Sequence, residues 1–253
     1  MTSLEYHRPQ TLDEALELLE QGVPLAGGTW LTPRLRGIRA LVDLQDLGLD
    51  RIEATDAALV IGGTATLQGL VENAALLPDD LVRAARQEAG WNIRNKATVA
   101  GTIVTGDGRS ALLTVLLALD AELEFAPGDE RVSLGEVLGR GADRTGGKLI
   151  AAIHAASPGH LRYAQVARSP ADRPLLCVAV ALAKADTDVR VALGGFGAYP
   201  QLLSMDATHD AQEAAKVARA MYAGAGDAWA SAEYRSSTAA TMVARLLTEV
   251  HPE

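Results

Sequence analysis

Apolar residues recur at helical spacing directly after Thr11. Leu12, Ala15, Leu16 and Leu19 share one face, and Thr11 with Glu14 three residues on forms a capping box, which predicts a helix closing near Gly22. Val23-Pro24-Leu25-Ala26 is a short extended apolar piece that runs into Gly27-Gly28-Thr29, and Leu31 to Leu35 reads as a helical turn. The local order is therefore strand, glycine turn, helix start. Ala40 to Leu44 and Ala58 to Gly63 pattern as further short strands. A second helix is predicted from Asp80 to Ala89, stopped by Gly90 and leading into Trp91-Asn92-Ile93-Arg94-Asn95-Lys96. Thr98 to Val104 is β-branched and contains a glycine, which predicts a strand with a close backbone approach. Gly106-Asp107-Gly108 reads as a loop, Ser110 caps an apolar helix from Ala111 to Leu119, and Ala121 to Phe125 alternates like a half-buried strand.

Pro127 to Lys148 is rich in Gly, Asp and Arg, which predicts surface loops around one short element. Ser157-Pro158-Gly159 punctuates the chain and places a domain boundary there, giving residues 1–158 and 159–253. Beyond it, Leu175 to Ala183 and Val189 to Leu193 read as a hairpin turned at Asp186-Thr187-Asp188, and two helices follow, over Ala211 to Tyr222 and Ser237 to Leu247. Strands followed by helices make this part α+β. Three glycine pieces, at Ala26 to Thr29, Ile61 to Thr64 and Val99 to Thr102, resemble one another weakly, as convergent turn chemistry would.

Composition narrows the functional classes. The chain has 253 residues, 48% hydrophobic and 22% charged, with a net charge of −9, which excludes disorder and collagen-like order. An acidic chain with scattered Lys and Arg is not built for nucleic acid. The N-terminal stretch lacks the apolar region of a leader, and the Leu175–Ala183 run is too short to span a membrane, so a cytoplasmic protein without direct membrane insertion is expected. A lone Cys177 in an apolar run supplies neither a disulfide nor ligands for an iron–sulfur cluster. Redox chemistry here would need a borrowed organic cofactor. The five histidines show no metal-ligand spacing and read as surface or structural residues, and there is no Walker A or nucleophile-elbow motif.

The glycine loops remain. Small residues delivered by a strand to the turn at Pro24 to Trp30 let backbone N–H groups converge on an anion, with the Thr29 hydroxyl as a further donor; a plain tight turn is the alternative. Thr98 to Thr102, after Asn92 to Asn95, is a second place of this kind. Two such loops suit one diphosphate-bearing cofactor, although neither matches the Rossmann glycine pattern.

Taken together, Leu25-Ala26-Gly27-Gly28-Thr29, Ile93-Arg94-Asn95-Lys96-Ala97-Thr98-Val99-Ala100-Gly101 and Leu116-Leu117-Ala118-Leu119-Asp120-Ala121-Glu122 resemble the FAD-binding medium subunit of molybdenum hydroxylases of the xanthine and carbon monoxide dehydrogenase type. Tyr6-His7-Arg8-Pro9, Leu41 to Leu44, Ile61-Gly62-Gly63, Ala192 to Gly195 and Tyr234-Arg235 follow in family order. The resemblance implies an α+β protein: a PCMH-type FAD-binding domain of two α/β subdomains, then a smaller C-terminal α+β domain like that of the carbon monoxide dehydrogenase flavoprotein. It implies that FAD lies between the subdomains, its pyrophosphate held by Ala26, Gly27, Gly28 and Thr29 and by Thr98, Val99, Ala100 and Gly101, with Leu25, Trp30 and Thr102 completing the cofactor-binding loops. It also implies a heterotrimer in which a large molybdenum-cofactor subunit oxidises the substrate, a small [2Fe-2S] subunit passes electrons on, and FAD delivers them to NAD+ or another acceptor.

This chain departs from the family pattern at named positions. Trp30 stands where Asp is usual, Ala100 and Thr102 replace a Gly and an Asn, the Asp of a downstream run is Ala111, and a Lys is Gln165. Trp30 can stack on a ring or fill a core. Arg94 and Asn95 can orient the second loop, and Asp107 and Arg109 can replace lost polar contacts or belong to a solvated loop. A subunit of the same fold without FAD, and a free-standing flavin reductase, are the alternatives that these changes leave open.

Overall fold

In the computed structural model, which describes residues 4–170, 172–184, 188–203 and 210–250, the capping box closes α1 (Leu12–Leu19). Thr11 Oγ accepts from Glu14 N at 3.3 Å, and Glu14 Oε2 accepts from the N–H of Gln10, one residue before the cap, at 3.0 Å. This helix lies beside a three-stranded parallel sheet, β1 (Glu5–His7), β2 (Val23–Leu25) and β3 (Ala40–Asp43), in the order β1-β3-β2. Ala15, Val42 and Leu44 are buried between them. A 3-10 turn at Thr32–Arg34 follows the first glycine loop.

A five-stranded antiparallel sheet comes next, in the order β4-β5-β8-β6-β7, from β4 (Ile52–Ala54), β5 (Ala58–Gly62), β6 (Glu122–Ala126), β7 (Glu130–Ser133) and β8 (Leu149–Ala156). Its apolar face, with Leu59, Ile61, Leu123, Phe125 and Ile153, is covered by α2 (Leu67–Glu72), α3 (Asp79–Glu88), α5 (Val99–Thr105), α6 (Ala111–Ala118) and α7 (Leu134–Gly139), with α4 (Trp91–Arg94) beside them. Every residue of α6 is buried, because the helix also packs on the next sheet.

That sheet is antiparallel too, in the order β12-β11-β10-β9, with β9 (Pro158–Val166), β10 (Leu176–Ala183), β11 (Val189–Gly194) and β12 (Gln201–Leu202). Its other face carries α8 (Ala211–Met221) and α9 (Ala232–Val250) over Leu176, Val178, Val180, Val191 and Leu193. Only Ser157 separates β8 from β9, so the chain changes sheet within one residue. Ser157 is itself fixed, its N–H donating to Ala57 O at 3.0 Å and its Oγ to Thr55 O at 2.7 Å.

Three expectations are corrected. Thr98 to Val104 is not a strand: Thr98 caps α5, its Oγ accepting from Gly101 N at 3.1 Å, and this cap with the packing of buried Val99 and Ile103 overrides β propensity. The stretch from Pro127 to Lys148 holds two elements, β7 and α7, because Ser133 ends one and caps the other. The last helix begins at Ala232, five residues before Ser237. The hairpin of β10 and β11 forms as expected, while Asp186 and Thr187 of its turn, and His209 and His251, lie outside the described residues.

Candidate cofactor site

The first glycine loop leaves β2 and meets the end of α4 directly. A Cβ built on Gly27 would lie 1.7 Å from the carbonyl oxygen of Lys96, so only glycine allows this contact. Gly28, with φ of +69°, turns the chain, and its carbonyl accepts from Thr32 N at 2.8 Å. Among the described residues, none accepts a hydrogen bond from the N–H of Gly27, Gly28 or Thr29. These donors are free for a ligand, as an anion-holding turn requires.

The second loop is built differently. Val99 N donates to Ala65 O at 2.9 Å, Ala100 N to Gly63 O at 3.1 Å and Thr102 N to Thr98 O at 2.9 Å, while Gly101 N is taken by the Thr98 side chain. Thr102 Oγ donates to Thr98 O at 2.9 Å. The N–H groups of Val99 to Thr102 are thus engaged within the chain. Ala100 lies in a helix at negative φ, so its methyl introduces no backbone strain.

Between the loops lies a cavity of about 390 Å³ lined by Ala26 and Gly27 from the first loop, Asn95, Lys96 and Thr98 from the second, and Gln45, Asp50, Ile52, Thr64, Thr66, Gly69 and Asn73. Leu25, Gly28, Thr29, Trp30, Val99, Ala100, Gly101 and Thr102 flank it without lining it. Sequence reasoning missed Thr64 and Thr66. Their signal was the third glycine piece: Gly63 packs where a Cβ would lie 2.1 Å from Ile150 O, which brings Thr64 to the wall, and Thr66 caps α2 by accepting from Gly69 N at 2.9 Å. Thr64 Oγ1 is buried with no hydrogen-bond partner among the described residues. Free N–H donors, a lysine and a cradle that only glycine fits are the donor set a dinucleotide needs, so the residues fit FAD.

The positions named for their departures fall elsewhere. Trp30 is half exposed under the Arg34 guanidinium, 4.4 Å from the ring centroid, so it does not fill a core. Arg94 braces the end of α3, donating to Arg86 O at 2.9 Å and Ala89 O at 2.8 Å, and Asn95 Nδ2 donates to Trp91 O at 2.8 Å. Asp107 accepts from Arg173 at 3.0 Å and from Arg109 N at 2.8 Å; burial pushes its carboxyl up, but these bonds and charges outweigh it and hold the carboxyl below its ordinary value. Arg109 in turn donates to Pro174 O at 2.9 Å and Arg173 O at 2.8 Å. This loop ties the five-stranded half of the chain to the four-stranded half. Gln165 Oε1 accepts from the Tyr163 hydroxyl at 2.7 Å.

Residues 2–155 match the family described as the FAD binding domain in molybdopterin dehydrogenase. The chain belongs to that family. It is 32% identical over 200 residues to the carbon monoxide dehydrogenase medium chain of Afipia carboxidovorans, covering 71% of this chain and 69% of that one. It is 29% identical over 218 residues to the nicotine 6-hydroxylase medium subunit of Paenarthrobacter nicotinovorans, covering 77% and 75%. The solved structure of reconstituted CO dehydrogenase from Oligotropha carboxidovorans superposes with a TM-score of 0.80 at 26% identity, over 96% of both chains. The protein is accordingly an FAD-binding medium subunit of the molybdenum hydroxylase family, an oxidoreductase component with FAD as cofactor. Among the described residues no helix is long and apolar enough to cross a membrane.

Proposed function

We propose that this subunit relays electrons: it receives them from the [2Fe-2S] clusters of a small partner, which has drawn them from a large molybdenum-cofactor subunit, and passes them to NAD+ or another acceptor. The observation that carries the reading is the junction of Gly27 with Lys96, which sets the free N–H groups of Gly27 to Thr29 beside a polar cavity in a chain of an FAD-binding family. When bound, FAD supplies a carrier that exchanges electrons one or two at a time. The chain's own share is to bind and orient it. Gly27, Gly28 and Thr29 donate to the diphosphate, Lys96 offsets its charge, and Leu25, Ala26 and Trp30 complete that loop. Thr98 gives the other side of the cavity, with Val99, Ala100, Gly101 and Thr102 holding it in place through their bonds to Gly63, Ala65 and Thr98.

Residues 1–158 form the FAD-binding domain in this reading and residues 159–253 the smaller C-terminal domain, within a cytoplasmic heterotrimer. Relatives named as medium chain and medium subunit support such an assembly. The test is the visible spectrum of the purified protein and of the complex isolated with it. A yellow, dithionite-bleachable protein that releases about one FAD per chain and co-purifies with molybdenum and iron–sulfur partners is the expected result. A colourless chain that refuses added FAD while still holding its partners is an assembly subunit instead.

A further inference from the structure

Between Glu20 and Asp43 the sequence holds three arginines, Arg34, Arg36 and Arg39, and no acid, in a chain whose net charge is −9. Because β2 and β3 are parallel, the segment that joins them returns along the length of the sheet, from the first glycine loop to the start of β3. All three arginines are exposed along it, and none makes an ion pair among the described residues. Other exposed arginines differ: Arg8, Arg131, Arg140 and Arg173 are each matched to a carboxylate. Trp30 heads the stripe, 49% exposed, its carbonyl accepting from Arg34 Nη1 at 2.6 Å and its ring lying under that guanidinium. The far end is held as well, with Ile38 N donating to Leu35 O at 3.1 Å and Glu5 N to Arg39 O at 2.9 Å.

A row of arginines without counter-charge, headed by a half-exposed tryptophan, has the composition of a protein interface, where Arg and Trp are enriched and carry the binding energy. It does not suit nucleic acid, whose phosphates the acidic remainder of the chain repels. An iron–sulfur protein is the complementary partner. Four thiolates and two sulfides outweigh the charge of two ferric ions, so each [2Fe-2S] cluster is an anion, and the stripe begins at the cofactor loop, which an electron donor must approach. We propose that Arg34, Arg36 and Arg39, with Trp30, form the docking surface for an acidic face of the [2Fe-2S] partner subunit. The proposal rests on the electron-relay reading above, and it adds the surface by which that partner is recognised.

The test is calorimetric titration of the full-length, FAD-loaded chain with the separately purified [2Fe-2S] subunit and, in parallel, with the molybdenum subunit, at low and at high salt. The variant is Arg36→Glu with Arg39→Glu, which leaves Trp30 and its Arg34 contact in place. The control is Arg86→Glu with Arg219→Glu, two exposed arginines of α3 and α8 whose reversal changes the net charge equally. The stripe variant is expected to bind the [2Fe-2S] subunit about tenfold more weakly at low salt, with a smaller loss at high salt, while its FAD content, its melting temperature and its affinity for the molybdenum subunit stay at wild-type values. The control is expected to bind like wild type. If the stripe variant melts lower, the milder Arg36→Gln with Arg39→Gln decides by the same criterion. Unchanged affinity for the [2Fe-2S] subunit or an equal loss in the control overturns the proposal, and so does a loss confined to the molybdenum subunit, which gives the stripe a different occupant. A wild-type complex that contains no iron–sulfur subunit overturns the underlying relay reading, and is told apart from a complex that holds that subunit by another face.

Discussion

Gly27 and the carbonyl of Lys96 are in contact across the two loops, so that an added methyl would lie 1.7 Å from that oxygen. Backbone on both sides leaves no flexible side chain to move aside. Gly27→Ala is therefore expected to lower stability by about 1–3 kcal/mol and to weaken FAD binding more than any loop substitution that leaves this junction intact. Thermal melting with an FAD titration checks both; a variant with wild-type values in both would mean the contact is slack in solution.

Arg235 is fully buried and makes five hydrogen bonds, to the carbonyls of Leu175 at 2.9 Å, Ala225 at 2.6 Å and Ala230 at 3.2 Å and to both oxygens of Asp227 at 3.0 and 2.9 Å. Arg235→Leu takes the donor from the carbonyls of Leu175 and Ala225 and the cation from Asp227, and is expected to cost about 3–5 kcal/mol, measured by urea unfolding. Arg235→Lys rescues little, because one ammonium cannot reach carbonyls on three sides.

Burial pushes the Asp227 carboxyl up, but the N–H groups of Trp229 and Ala230 and the Arg235 guanidinium outweigh it and hold it below its ordinary 3.8. A depressed folded value means that the unfolded chain binds the proton more readily. The stabilisation is present above pH 3.8 and is lost as pH falls below it. Asp227→Asn should therefore be less stable than wild type at pH 7, with the gap narrowing below pH 3.8, in melting curves across pH.

Glu88 behaves in the opposite sense. Its carboxylate accepts from Ser110 Oγ at 2.9 Å and Leu112 N at 2.8 Å, but burial raises its value above 4.5. A raised folded value gives stability that is full below pH 4.5 and declines as pH rises through the folded value. Glu88→Gln keeps an acceptor and removes the charge. It is expected to melt a few degrees higher than wild type at pH 7 and to lose that advantage near pH 4.

Cys177 is fully buried against Thr114, Sγ to Oγ1 at 3.3 Å, and burial pushes its thiol up to about 12. Iodoacetamide at pH 8 should leave the native protein unlabelled and label it stoichiometrically in urea, read by mass spectrometry.

Much of the fold was legible where one signal dominated. The capping box fixed α1, and the apolar runs of β10 and β11 fixed their hairpin. The misreading of Thr98 to Val104 shows the limit: Val99, Ile103 and Val104 favour a strand locally, and it is Thr98 Oγ on Gly101 N, with Ala65 and Gly63 accepting from the next turn, that makes a helix. Gly27 was legible as a tight turn, but its partner, Lys96, lies 69 positions away in the chain and carries no signal for the contact. Thr64 was hidden for the same reason, since only Leu49 and Ile150, distant in sequence, bring it to the cavity.

The single residue between β8 and β9 has a mechanical meaning. Ser157 gives no slack, so a shift of β9 is handed directly to β8, which runs through Ile150 and Ala151 against Gly63, the neighbour of the cavity-lining Thr64. With α6 on one face of the four-stranded sheet and α8 and α9 on the other, both faces are already covered, and the one-residue joint ties the packing of the two cores to each other instead of leaving them free to shift apart.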